Sequence, residues 1–227
     1  MAPRNTTDSG PTKRRAKTRA GRDTVGRERV MQVALQQFLA HGYGGTSLKA
    51  VADELGISPP ALYWYFASKE ELYVSVIEQS MNDFLRYVRE SITDNDPVFQ
   101  LSQLVRAHVT WQLQQLEIAQ AFDLTMTLNG RTTDVPESRF APILKLEIEY
   151  LEQVRSILRN GVEQGVFVID DYVTTAFAII TLCEYVTTWY NPDGQFSIAA
   201  VANRYEGLVR RMVGAANLRS IHSAEAV

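Results

Sequence analysis

From about Thr24 onward, apolar residues recur at spacings of three and four, the period of a helix with one buried face. Met31, Ala34, Leu35, Phe38 and Leu39 make a first such stripe, which Gly42 and Gly44-Gly45 are expected to stop. Thr46 and Ser47 are placed to cap a second helix, with apolar positions at Leu48, Val51, Ala52 and Leu55 and a stop at Gly56. Ser58 is the expected N-cap of a third, from Pro59 to about Phe66, since proline is tolerated in a first helical turn. Ser68 and Glu71 then form a capping box, and a longer fourth helix runs to about Ser91. After the turn at 94–97 the pattern predicts helix over 98–128, 137–164, 171–190 and 198–215. The expected breaks fall at Asn129-Gly130, between Gly161 and Gly165, and at Asn191-Pro192-Asp193-Gly194. No stretch alternates with period two. The expectation is an all-α chain of about nine helices.

The chain has 227 residues, enough for a sizeable core without covalent staples. A single cysteine, Cys183, excludes an internal disulfide framework and reads as a small buried residue. The three histidines stand far apart without metal-ligand spacing, and neither a metal nor a cofactor is expected. The most apolar stretch, Tyr172 to Tyr190, is rich in threonine and carries Glu184, so it does not read as a membrane span. The first residues lack the apolar segment of a secretory leader, and the expected setting is the bacterial cytosol or nucleoid.

Charge is unevenly distributed along the chain. Residues 1–70 carry 11 Lys and Arg against 6 Asp and Glu, whereas residues 71–227 carry 12 against 20. A basic front and an acidic back suggest a polyanion partner for the front alone. Residues 1–22, with the run Lys13-Arg14-Arg15-Ala16-Lys17-Thr18-Arg19, read as a disordered basic arm that either enters a minor groove or stays a solvated tail.

Within 24–66, two short helices flank the tight turn Leu55-Gly56-Ile57-Ser58, the helix-turn-helix plan. Its second helix can enter a DNA major groove while the first lies across the backbone. Leu48, Val51, Ala52, Leu55, Ile57 and Leu62 are expected to face the small core. Beyond this spacing, the string from Gly42 to Leu72, ending Leu62-Tyr63-Trp64-Tyr65-Phe66-Ala67-Ser68-Lys69-Glu70-Glu71-Leu72, closely resembles the N-terminal domain of TetR-family transcriptional regulators. The likeness covers about residues 25–72. It implies a helix-turn-helix DNA-binding domain over 23–70, an effector-binding and dimerisation domain over 71–217, and a flexible tail over 218–227.

The DNA-binding candidates are Thr46, Ser47, Lys49, Ser58, Pro59, Pro60, Ala61, Tyr63, Trp64, Tyr65 and Lys69. Thr46 and Ser47 lie at a helix N-terminus, where hydroxyl and N–H groups suit a phosphate oxygen. The resemblance implies a phosphate contact for Tyr63; Tyr63 and Tyr65 read alternatively as packing residues. Base reading should come from the start of the third helix, yet Pro59 and Pro60 lack N–H groups and offer only apolar contacts. Specificity would then lean on Lys49, Tyr63, Trp64 and DNA shape.

The resemblance also implies a homodimer, as a two-fold operator requires. The helices at about 171–190 and 198–215 are its expected surface, through Ile198, Val201, Tyr205, Leu208 and Met212, with an intramolecular core stripe as the alternative. Trp111, Phe122, Met126, Phe177, Thr181, Tyr185 and Trp189 are the expected walls of an effector pocket, suited to an apolar molecule with a polar end. The stretch Trp189 to Ser197 resembles a TetR branch that includes acyl-CoA-responsive regulators of lipid or steroid breakdown. An acyl-CoA effector follows from that resemblance, with Arg106, Arg131, Arg139 and Arg155 as partners for its phosphates or as plain surface residues. The alternative is a drug- or other hydrophobic-ligand-responsive repressor of an efflux or catabolic operon. No nucleophile elbow, P-loop, dinucleotide loop or metal motif points to an enzyme. A protein that coats DNA without sequence preference fits poorly with the acidic C-terminal half.

Overall fold

The computed structural model describes residues 26–119 and 135–215. Among these residues there are helices and turns but no strand. The order is α1 (Arg27–Gly45), α2 (Leu48–Leu55), α3 (Pro59–Leu62), α4 (Lys69–Ser91), α5 (Pro97–Gln114), α6 (Ala141–Glu163), α7 (Tyr172–Glu184) and α8 (Ile198–Met212). A 3₁₀ turn, Glu137–Phe140, leads into α6, and another, Tyr185–Thr188, continues α7. The basic arm, the C-terminal tail, the Asn129-Gly130 break, Phe122, Met126 and Arg131 lie outside the described residues.

Side-chain oxygens begin most of the long helices. Ser47, Ser68, Asp96, Asp171 and Ser197 each accept a backbone N–H of the first turn. At Ser68 the expected capping box takes a shifted form. Its hydroxyl accepts from Glu71 N, while the Glu71 carboxylate reaches back one residue further, to Ala67 N at 2.9 Å. Gly56 ends α2 in the left-handed region, at φ 66°, and the N–H groups of Gly56 and Ile57 both return to Ala52 O.

Two glycine stops fall where the spacing argument puts them, and two boundaries differ from it. Gly42, at φ 68° and ψ 174°, breaks the helical path of α1, and one short further turn ends it at Gly45. The third helix is only one turn long, continued to Phe66 by hydrogen bonds from Tyr63 N to Pro59 O and from Tyr65 N and Phe66 N to Leu62 O. The stretch at 98–128 is interrupted at Gln115, where φ −110° and ψ 35° leave the helical region; 116–119 are helical again. Gly161 lies inside α6, within the expected 137–164, and Gly165, at φ 70°, makes the expected stop.

Two hydrophobic cores result. The first gathers Val30, Ala34 and Phe38 of α1, Val51 and Ala52 of α2, Leu62, Phe66, and residues Leu72 to Ile77 of α4, together with Val135 and Ile143. Arg27 clamps its edge: the guanidinium donates to Tyr65 O at 2.8 Å and to Ser75 Oγ at 3.1 Å, lying 4.1 Å over the Phe66 ring. The second core is organised by α5, which packs against α4, α6, α7 and, most extensively, α8. Phe84, Leu85 and Val88 bring the far end of α4 into it.

Gly161 has a steric reason. A Cβ there would stand 1.9 Å from the Phe167 ring, which folds under the end of α6. Gly161→Ala is expected to cost about 1–3 kcal/mol through overpacking, and Gly56→Ala about 1–2 kcal/mol through its left-handed backbone. Urea denaturation of both variants checks this; a Gly161→Ala midpoint equal to wild type would show that the ring moves aside freely.

Candidate DNA surface and effector cavity

Helices α2 and α3 turn one face outward. Ser47, Lys49, Ser58, Pro60, Tyr63 and Trp64 are exposed, the Trp64 ring at 89%. Such a bare indole at the end of a recognition turn is the most conspicuous apolar group on this face. Pro59, Ala61, Tyr65 and Lys69 are half-buried beside it. The Ser58 side chain makes no capping bond, so its hydroxyl remains available, while its carbonyl accepts from Ala61 N and Leu62 N.

Two of the expected DNA contacts are altered by the packing. Thr46 is 4% exposed; its hydroxyl donates inward to Gln37 O and Gly42 O, and its N–H to Tyr43 O. It ties α1 to α2 and has no group left for a phosphate. Lys69 places its ammonium 4.1 Å over the Tyr43 ring, whose hydroxyl donates to Glu70 at 3.2 Å. A cation–π contact thus orients this lysine at the N-terminus of α4. Sequence reasoning missed Arg27, whose role follows only from its long-range contacts.

Between α4, α5, α6 and α7 lies a cavity of about 570 Å³. Of the expected wall, Trp111, Phe177, Thr181 and Tyr185 line it. Trp189 does not: its Nε1 donates to Tyr205 Oη at 2.9 Å and its ring stacks on Tyr205 at 6.3 Å, outside the cavity. The spacing argument omitted Met81 and Phe84 of α4, His108 and Gln112 of α5, Leu144, Glu147, Ile148 and Tyr150 of α6, and Glu184 of α7. Their helical period was visible, but which stripes face one another was not.

The polar part of this wall is ordered. His108 Nδ1 lies 2.8 Å from Tyr150 Oη, and Gln112 Nε2 lies 3.3 Å from His108 Nε2. Phe84 meets both the His108 and Tyr150 rings edge-on. Burial alone pushes the His108 imidazole down to about 3 and raises the Glu147 carboxyl above its ordinary range; burial, together with the nearby Cys183 and Glu184, raises the Tyr150 phenol. Among the described residues no group of His, Cys, Asp and Glu is placed to hold a metal ion. No described helix is long and apolar enough to cross a membrane.

The arginines expected near the cavity are engaged elsewhere or exposed. Arg106 pairs with Glu206 of α8 at 3.4 Å, and Arg139 is exposed beside α6. Arg155 pairs with Glu152 and lies 5.9 Å over Phe177, at the rim. The expected dimer stripe divides. Val201 and Tyr205 are buried in the chain's own second core and Ile198 packs against it, leaving Leu208 and Met212 about 46% and 42% exposed. The turn at 191–194 is held by Asn191, which accepts from Asp193 N through its side chain and from Gly194 N through its carbonyl.

Residues 30–76 match the family model of the bacterial regulatory proteins of the tetR family, and residues 94–213 that of the tetracyclin repressor-like C-terminal domain. The chain is 24% identical over 184 residues to the HTH-type transcriptional repressor KstR2 of Rhodococcus jostii, covering 81% of this chain and 88% of that protein. A solved bacterial regulatory protein in the tetR family from Rhodococcus RHA1 superposes with a TM-score of 0.74 at 26% identity, covering 84% and 98% of the two chains. AibR, solved in complex with isovaleryl coenzyme A and operator DNA, shares the fold at a TM-score of 0.68 and 20% identity, over 84% of this chain and 99% of that one.

The buried histidine has a consequence for stability. Its folded pKa is depressed, so the unfolded chain binds the extra proton as pH falls below 6.5. Stability is therefore present above pH 6.5 and falls by about 2 kcal/mol by pH 5 on account of His108 alone. Glu147, shifted upward, acts in the opposite sense, so the difference between wild type and His108→Gln isolates the histidine. Urea unfolding of both at pH 7 and pH 5 should show a flatter pH dependence in the variant; equal slopes would contradict the assignment.

Proposed function

Since the chain belongs to the TetR family of bacterial regulatory proteins, we propose that it is a homodimeric transcriptional repressor of a palindromic operator, released when an acyl-CoA thioester fills the cavity between α4 and α7. The family and the relatives are transcriptional regulators and not enzymes. One observation supports the regulatory reading above others. The cavity wall includes Ser80, Met81 and Phe84 of α4, and the same helix supplies Leu72 to Ile77 to the core beneath α2 and α3. An occupant can therefore bias the position of the recognition units.

The domain division proposed is 23–70 for DNA and 71–217 for effector and dimer. Ser47, Lys49, Ser58, Tyr63, Trp64 and Lys69 form the proposed contact set, with Pro59, Pro60 and Ala61 approaching base edges without side-chain donors. For the acyl-CoA reading, the support is the kinship with KstR2 and the isovaleryl coenzyme A held by AibR. The apolar chain would lie among Phe84, Trp111, Phe177 and Tyr185, with Arg155 at the rim as a candidate phosphate partner.

Selection of bound sequences from a random duplex library, at fixed salt, is expected to enrich an inverted repeat. Lys49→Ala and Lys69→Ala should each weaken binding across sequences and lower the log–log salt slope by about one unit per subunit. Tyr63→Phe should weaken binding severalfold if its hydroxyl meets a phosphate. Acyl-CoAs should release the enriched operator. Binding without an enriched motif would replace the repressor reading with a coating protein.

The proposed dimer uses the exposed side of α7 and α8, including Leu208 and Met212. The double substitution Leu208→Glu with Met212→Glu is expected to shift the protein to a monomer in sedimentation velocity and to abolish operator binding. A dimer unchanged in this variant would move the interface elsewhere.

A further inference from the structure

The polar chain in the cavity wall has a defined direction. An amide nitrogen only donates, so Gln112 Nε2 gives its hydrogen to His108 Nε2, which must accept. The imidazole is uncharged at neutral pH, because burial holds it down to about 3. Its single proton therefore sits on Nδ1 and is donated to Tyr150 Oη at 2.8 Å. The phenol, itself only 3% exposed, has then used an acceptor site, and its own O–H remains to be given. Its one hydrogen bond among the described residues is the one from His108. Gln112, His108 and Tyr150 all line the cavity.

We propose that the Tyr150 hydroxyl is the donor that reads a neutral carbonyl oxygen on an apolar ligand, and that Glu147 excludes the corresponding carboxylate. This rests on the reading of the cavity as the effector site and adds the feature of the effector that is recognised. A buried phenol proton without an acceptor leaves a donor unsatisfied, so a carbonyl gains where a plain hydrocarbon does not. The Glu147 carboxyl side chain lines the cavity beside it, and no described lysine or arginine does. A ligand carboxylate would be desolvated against like charge, the costliest combination. An ester-like or thioester carbonyl and a ketone share the accepted chemistry; the free acid does not. His108 acts as a positioning residue, fixing the phenol oxygen and turning its hydrogen outward from the imidazole.

Isothermal titration calorimetry of the full-length protein, without DNA, tests this with four probes: S-octanoyl-N-acetylcysteamine, 2-decanone, octanoate and hexylbenzene. The thioester or the ketone, or both, should bind at least tenfold more tightly than octanoate, and the tighter of the two identifies the carbonyl source. Tyr150→Phe should weaken carbonyl binding about tenfold and leave hexylbenzene unchanged. Glu147→Gln, at a half-buried position, should strengthen octanoate binding at least threefold, and it keeps the test open if Tyr150→Phe folds poorly. Equal losses for hexylbenzene and the carbonyl probes would assign Tyr150 a packing role and overturn the proposal. So would octanoate binding as tightly as the neutral probes, or no binding by any of the four. Because operator release is not the readout, such a result would leave the DNA-binding regulator reading standing.

Discussion

Helix α4 belongs to two cores at once, and the arrangement of the molecule depends on it. Its first two turns place Leu72, Tyr73, Val74, Val76 and Ile77 under the helix-turn-helix, and its last two place Phe84, Leu85 and Val88 in the larger bundle. Close-packed interiors transmit displacement because side chains lack free volume in which to absorb it. A rigid 23-residue helix gripped at both ends therefore couples the two bodies. The start of α6 adds a second tie, since Ile143 sits in the first core while Leu144, Glu147 and Ile148 of the next turn line the cavity. The stretch Ser80 to Phe84 is where the two cores and the cavity meet. The Ser68 cap and its Glu71 return bond fix the near end of α4, and the Lys69–Tyr43–Glu70 cluster fastens that end to α1.

The DNA face shows what a recognition turn can offer when its first residues are prolines. Ser58, Pro59, Pro60 and Ala61 bring one hydroxyl and no side-chain amide or guanidinium, so direct reading of guanine by a bidentate fork is not available there. The groups with reach are Lys49, Tyr63 and the exposed Trp64 indole. A large apolar ring favours thymine methyls and groove shape over hydrogen-bond patterns. On this account sequence preference would be distributed over several weak contacts, with the phosphate contacts setting register.

Much of the fold was legible because local chemistry dictated it. Gly56 ends α2 at the only backbone geometry that lets two N–H groups return to Ala52, and Ser68 with Glu71 marks the start of α4. Ser47, Lys49, Tyr63 and Trp64, read from that local framework, are exposed together on one face of α2 and α3. Failures came where tertiary contacts decide. Thr46 reads as an N-terminal hydroxyl but spends its proton on α1, 9 residues back at Gln37. Gly161 reads only as one edge of the break that Gly165 completes, and nothing local shows that Phe167 needs the space its missing side chain leaves. The stripe from Ile198 to Met212 has the correct period, but period alone cannot distinguish a face buried in the same chain from one left for a partner. Val201 and Tyr205 went to the former, and Leu208 and Met212 did not. His108 and Tyr150, 42 residues apart, have no sequence signal that would join them.

A ligand shifts a two-state equilibrium only by its differential affinity for the states, and a change from 1:99 to 99:1 needs about 5.5 kcal/mol. The geometry indicates where such a difference could arise. The cavity wall spans four helices, and two of them, α4 and α6, also carry residues of the first core. A ligand that seats between α4 and α7 without moving α4 or α6 would bind both states alike and regulate nothing, however tightly held. Regulation therefore requires contact with Ser80, Met81 or Phe84 of α4, or with Leu144, Glu147 or Ile148 of α6, the residues through which displacement reaches the first core. Phe84 is the point where these demands coincide. It packs edge-on against both His108 and Tyr150 and faces Trp111, so under the proposed reading the ring that would sense the occupant is also set by the polar chain that would select it. Under that reading ligand choice and mechanical output would converge on one aromatic side chain of the shared helix.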